Sequence, residues 1–351
     1  MAVKSGFMED GAKKDEGGCF LNAVPSSDRI NEVFYTHNLT GARLELVSQV
    51  CISFESELLY LNEQLALHRL ERVGWSLVYR FLSQDNFYAE VGKSPYIPKS
   101  YEIRISLGVP ATVLSVAIEL MSLRVGSESS HLGMQYKDST SSIEDLFPGV
   151  VSVSDVGGAA TNLAIDVCLL LYFHEVSHMI FGHCDYQAKN ANEVRALEFD
   201  ADFNAGTIFG SWVMGLPSIS RRPSSSGELI ERLIRAAFVL GVIFKAVSRE
   251  SENYHYPSIR VLSFMSGGVL SLTKNGHAPE FVDEEQGNKY WEQVVRSVQS
   301  PLLDALKRSS LSRFSGTESE MQRDWEELNT ITYKVRDELK DGPLTGLRLA
   351  L

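Results

Sequence analysis

His174 and His178 stand four residues apart in the apolar run LLLYFHEVSHMIFGHC (residues 169–184), with Glu175 beside the first of them. On a helix, that spacing places two side chains on one face, one turn apart. Two neutral imidazoles presented to one point are what a single helix contributes to a divalent metal ion. Glu175 is offset by about 100° and borders the same face without aiming at the same spot. H-E-x-x-H is the pattern of a zinc site whose glutamate takes the proton from water at the metal.

Such a site needs a third ligand. NEVRALEFDADFNAG (residues 192–206) places Glu198 and Asp202 four apart, on one face of a second helix. A catalytic zinc commonly takes two histidines and one glutamate and leaves a position open for water, a set that Glu198 can complete. Asp202 is then placed to accept a hydrogen bond from the far nitrogen of His174 or His178, which fixes the tautomer and raises ligand basicity. Without a cation, five ionisable groups on an apolar helix pair would be costly to desolvate.

Peptide hydrolysis also needs a donor for the oxyanion. The stretch SENYHYPSIR (residues 251–260) offers His255 and Tyr254, with Tyr256 and Arg260 nearby, and Tyr186 is a further candidate. His183 falls past the helix, off the ligand face, and reads as a C-terminal histidine favoured by the helix dipole. Cys184 reads as a small buried residue.

The elements that must carry these groups follow from periodicity. Residues 44–82 repeat apolar positions at three and four and read as helix, with Gly74 separating two pieces. YEIRISLGV (residues 101–109) alternates and is the clearest strand, which could be the sheet edge that takes up a peptide or, more simply, a structural strand. A helix opened by Pro110 follows, through Leu123. Long helices are expected over about 160–182, 192–214 and 228–250, with an apolar segment to about 272. Two charged amphipathic helices separated by 309–318 close the chain. Residues 126–142 and 215–228 read as connections.

The 351 residues carry a net charge of −12, which argues against nucleic-acid binding and against docking on anionic membranes. The four cysteines, Cys19, Cys51, Cys168 and Cys184, form no C-x-x-C pair, so no disulfide framework is expected. The first residues lack the apolar core of a secretory signal, and the apolar windows are interrupted by charge or too short to span a bilayer. The expected location is cytoplasmic, in a reducing compartment.

HEVSH, followed 20 positions after its second histidine by EFDAD, resembles the gluzincin clan of zinc peptidases. The EFDAD text is similar to that of membrane-embedded heat-shock and prenyl-protein-processing metallopeptidases, but the expected spanning helices are missing. With Gly182–His183 after the motif, the layout resembles the soluble Lit-type phage-exclusion peptidases of bacteria. The resemblance covers residues 165–206. It implies His174, His178 and Glu198 as zinc ligands, Glu175 as base and Asp202 as orienting acid. Cys184 occupies the position where a metzincin would carry its third histidine.

The resulting expectation is an α+β, predominantly α-helical protein with a zincin-like core: an active-site helix, a small β-sheet, and added N- and C-terminal helices. Residues 1–25 read as disordered, 26–275 as the metallopeptidase domain and 276–351 as a helical extension. The expected function is zinc-dependent cleavage of a protein or peptide substrate, and the added helices could select that substrate. The alternative is a regulatory or interaction protein with a closed structural zinc site, for which His183 or Cys184 would supply a fourth ligand.

Overall fold

The computed structural model describes residues 30, 42–65, 70–124, 153–215, 222–247 and 254–339. The N-terminal segment 1–25, the loop 126–142 and residues 216–221 of the connection 215–228 lie outside the described residues. The protein is predominantly helical with one small three-stranded sheet, an α+β fold. In chain order the elements are α1 (Ala42–Leu65), β1 (Ser76–Leu82), β2 (Ala89–Lys93), β3 (Ser100–Ser106), α2 (Gly108–Arg124), α3 (Val153–Ile180), α4 (Ala191–Met214), α5 (Ser226–Val247), α6 (Pro257–Lys274), α7 (Glu284–Arg308) and α8 (Glu318–Leu339).

The expected helix over 44–82 is only half helix. Gly74 adopts φ 73°, a left-handed conformation that suits glycine, and ends a short 3-10 turn instead of separating two helices. Beyond it, SLVYRFL is strand β1, paired in parallel with β3 from Ser76↔Ser100 to Leu82↔Ser106. Its spacing satisfies both periods, since Leu77, Tyr79 and Phe81 also alternate. Tyr79 and Phe81 point into the core, while Arg80 reaches Glu102 of the neighbouring strand at 2.9 Å. Pairing with a strand some 24 residues downstream decides the outcome, and no local pattern encodes it.

The strand order is β1-β3-β2, with β2 antiparallel to β3. The strand read from the sequence, β3, is therefore central, and its fully covered position explains its near-continuous burial. The edge beside the histidine helix is β2: Cys184, just past α3, lies with its Sγ 3.9 Å from Val91 O, and Asp185 pairs with Lys93.

Helix α3 is the axis of the molecule. It touches α1, α2, α4, α5 and the sheet, which is why it is apolar on every side. Its stretch Gly158–Ile180 is long and apolar enough to cross a membrane, but 94% of that apolar window is buried within the protein. A bidentate pair from Arg232 of α5 to Asp166 (2.9 and 2.7 Å) satisfies the charge near its middle. The same core continues into α7 through Trp291, Leu302 and Leu306.

Helices α4 and α6 meet backbone to backbone. A Cβ on Gly206 would fall 2.0 Å from Phe264 O, and one on Gly267 would fall 1.9 Å from Phe203 O. Only glycine permits this approach. Across the seam Thr207 Oγ1 donates to Gly267 O (3.1 Å), and Ser263 Oγ donates to Phe199 O (2.7 Å). Helix α8 packs along the outer side of α4, where Val335 and Leu339 cover Ala196 and Leu197.

Candidate metal centre

Past the end of α3 at Ile180, Gly182 with a φ of 81° turns the chain through a 3-10 segment, His183–Asp185. The chain then re-enters helix at α4, where the side chain of Asn190 accepts from Glu193 N (3.0 Å) and Glu193 Oε2 accepts from Lys189 N (2.8 Å). This reciprocal cap starts α4 so that Glu198 comes level with the two histidines of α3.

The result is a compact donor set. His174 Nε2 and His178 Nε2 are 3.0 Å apart. Glu198 presents one oxygen to each ring, Oε2 to His174 at 3.2 Å and Oε1 to His178 at 3.4 Å. A tetrahedral zinc held at about 2.0–2.2 Å from each donor would separate those donors by about 3.3–3.6 Å. Glu198 Oε2 is moreover buried without a hydrogen-bond partner among the described residues. Geometry, donor chemistry and this unsatisfied atom together fit a divalent cation. The buried group His174, His178 and Glu198 can hold a metal ion.

Asp202, fully buried, sits with Oδ1 2.9 Å from His174 Nδ1, on the side of the ring away from the other ligands. It is where the sequence places an orienting carboxylate. Glu175 is buried next to the cluster. Burial raises its pKa, with Glu198 and Glu90 adding to the shift and the two histidines opposing it. Burial also works against a charged His174, but its neighbours Asp202 and Glu198 outweigh that and raise it to about 9. Burial likewise opposes ionisation of Glu198, yet the two imidazoles hold its carboxyl well below the usual range.

Arg260 was only a neighbour in the sequence pattern; in the fold it is the cation of the site. It is wholly buried, donates to Asp202 Oδ1 and lies 3.6 Å from Glu198 Oε2. Its guanidinium sits 4.2 Å from the Phe244 ring centroid and 5.5 Å from that of Tyr254. Tyr254 stacks on Phe244 at 5.0 Å. The charge of Glu198, followed by burial, pushes the Tyr254 phenol up, so it remains a neutral donor.

The structure brings His255 elsewhere. Both its ring nitrogens are engaged, Nδ1 at 3.3 Å from Asp324 Oδ2 of α8 and Nε2 at 3.3 Å from Arg195 O, so neither is left for an oxyanion. Tyr186 is likewise turned to α8, donating to Glu338 at 3.0 Å. His183 is not a free helix-end histidine: it is buried, with Nδ1 2.9 Å from His178 Nδ1. Burial lowers its pKa, with Asp200 opposing. Cys184 keeps its thiol protonated, pushed up to about 12 by burial. For His255 and Tyr186 the cause is α8, distant in sequence, which packs where no local reading could place it; for His183 it is the turn at Gly182.

Tyr88 and Glu90, at and just before the β2 edge, were not anticipated. Tyr88 donates to Glu90, and the Tyr88 phenol and Glu90 carboxylate both lie within electrostatic reach of Glu175. The chain matches no family model, no curated protein and no solved structure.

Proposed function

We propose that the protein is a zinc-dependent endopeptidase with a zincin-like core. The observation that carries this reading is the 3.0–3.4 Å spacing of His174, His178 and Glu198 around one point. Zinc bound there would bring the pKa of its water to about 7 and polarise a scissile carbonyl. The chain's own residues supply the rest. Glu175 accepts the proton of the attacking water and delivers it to the leaving amine. Burial, which raises its pKa, makes it a stronger base than an exposed carboxylate. Tyr254 is the favoured donor to the developing oxyanion.

The outer side of β2 pairs with no strand among the described residues, and it runs beside the ligand helix. An extended peptide can add there as a further strand, its backbone held by main-chain hydrogen bonds. A closed structural site would call for a fourth protein ligand. Among the described residues the cluster holds three, and His183 is taken up with the far nitrogen of His178. This favours the catalytic reading over the regulatory one.

The test is Glu175→Gln, assayed by metal analysis and by cleavage of an unbiased peptide library. Loss of cleavage with zinc retained is the expected result. Undiminished cleavage by that variant removes Glu175 from the chemistry.

A further inference from the structure

We infer that His183, Asp200 and Arg336 form a positioning chain for the metal ligand His178, so that the C-terminal helix α8 is a working part of the metal centre. The inference rests on the metal site proposed above and extends it to residues outside the H-E-x-x-H and E-x-x-x-D patterns.

The argument starts from ring nitrogens. A histidine that gives Nε2 to a metal carries its proton on Nδ1, and a partner for that proton holds the ring in place. For His174 the carboxylate facing that nitrogen is Asp202, with Oδ1 2.9 Å away. For His178 it is His183, whose Nδ1 lies 2.9 Å from His178 Nδ1. Since His178 donates, His183 must accept through Nδ1, and its own proton must sit on Nε2. That nitrogen is 3.1 Å from Asp200 Oδ2. The other oxygen, Asp200 Oδ1, accepts from Arg336 Nε on α8, and Asn204 Nδ2 donates to Oδ2 at 3.2 Å. One assignment of protons satisfies every nitrogen from the metal face to the surface.

The chain is built into the fold at each step. Gly182 supplies the left-handed turn that folds His183 back on to His178. Asp200 lies between Glu198 and Asp202 on α4 and is buried, where an unpaired carboxylate would be costly. Arg336 reaches it across the face of Phe203, 5.2 Å from the ring centroid. Each metal-facing histidine thus ends on a carboxylate of α4, one directly and one through a second imidazole. Arg336 touches no metal and acts through Asp200; it is a positioning residue.

Three readouts on the full chain decide the matter: zinc affinity by chelator competition, the visible spectrum of the cobalt-substituted protein, and the unfolding midpoint of the metal-free form. His183→Ala and Asp200→Asn should each weaken zinc about 10–100-fold and alter the cobalt spectrum. Arg336→Ala, at a partly exposed helical position, should keep the metal-free fold and weaken zinc by a smaller factor, with Arg336→Lys restoring part of the loss. Glu338→Gln, which loosens α8 at Tyr186 without touching the chain, should leave affinity and spectrum unchanged. Zinc affinity within twofold of wild type in folded Asp200→Asn and Arg336→Ala overturns the inference while leaving the metal site standing. A wild-type protein that binds no zinc sinks both.

Discussion

Arg260 places its guanidinium on Asp202, the carboxylate that in turn lies 2.9 Å from His174 Nδ1. A fully buried cation thus balances two buried carboxylates, Asp202 and Glu198, beneath the metal-facing side of the histidines. Removing one member of such a set leaves uncompensated charge in the interior. Arg260→Leu is expected to destabilise the metal-free protein by about 3–5 kcal/mol, read from urea unfolding. A loss below about 1 kcal/mol would show that Arg260 does not carry this balance.

Zinc should act as a ligand of the folded state alone. At a free concentration one hundred times its dissociation constant it should add about 2.7 kcal/mol of stability, removed again by chelator. His174→Ala, His178→Ala and Glu198→Ala should each abolish the zinc-dependent rise in unfolding temperature. A rise that survives all three substitutions places the metal somewhere else.

Tyr254 holds a neutral phenol near Glu198 and Glu175. Tyr254→Phe is expected to lower kcat by about 100–1,000-fold with zinc content unchanged, the loss typical of a missing oxyanion donor. Tyr88→Phe is the comparison: if that variant suffers the larger loss, the donor is Tyr88 at the β2 edge.

The α4–α6 seam holds Arg260 over Asp202, and glycine alone fits it. Gly267→Ala would set a methyl group 1.9 Å from Phe203 O. The helices must separate, at a cost of at least about 1–3 kcal/mol, the range for overpacked interiors. An unfolding midpoint equal to wild type would mean that the seam yields without penalty.

Glu55 on α1 is buried away from the site, and burial raises its carboxyl to about 7. An unfolded glutamate titrates near 4.5, so between those values the folded form holds the extra proton. Stability attributable to this group therefore falls as pH rises from 4.5 to about 7, and the penalty is complete above that. Glu55→Gln should stabilise the protein at alkaline pH by on the order of 1 kcal/mol after allowance for solvent screening, and by nothing at pH near 4. A gain of equal size at both pH values would point to packing instead of charge.

What the sequence determined by itself is what helix period determines. Residues four apart share a face whatever surrounds them, so His174 with His178, and Glu198 with Asp202, could be paired before any fold was known. The apolar stretch around the histidines, strand β3 and the Asn190–Glu193 cap of α4 are local in the same sense, although the alternation at 101–109 runs on past Ser106, where β3 ends and α2 begins at Gly108. Tertiary structure alone decided what stands behind those pairs. Arg260 meets Asp202 across 58 residues, and Arg336 meets Asp200 across 136. It also made β1 a strand and moved His255 from the expected site to a tie with α8. Such contacts depend on which helix packs beside which. That choice follows from the shape and burial of whole faces, such as the glycine seam of α4 and α6, and leaves no fixed spacing in the chain to read.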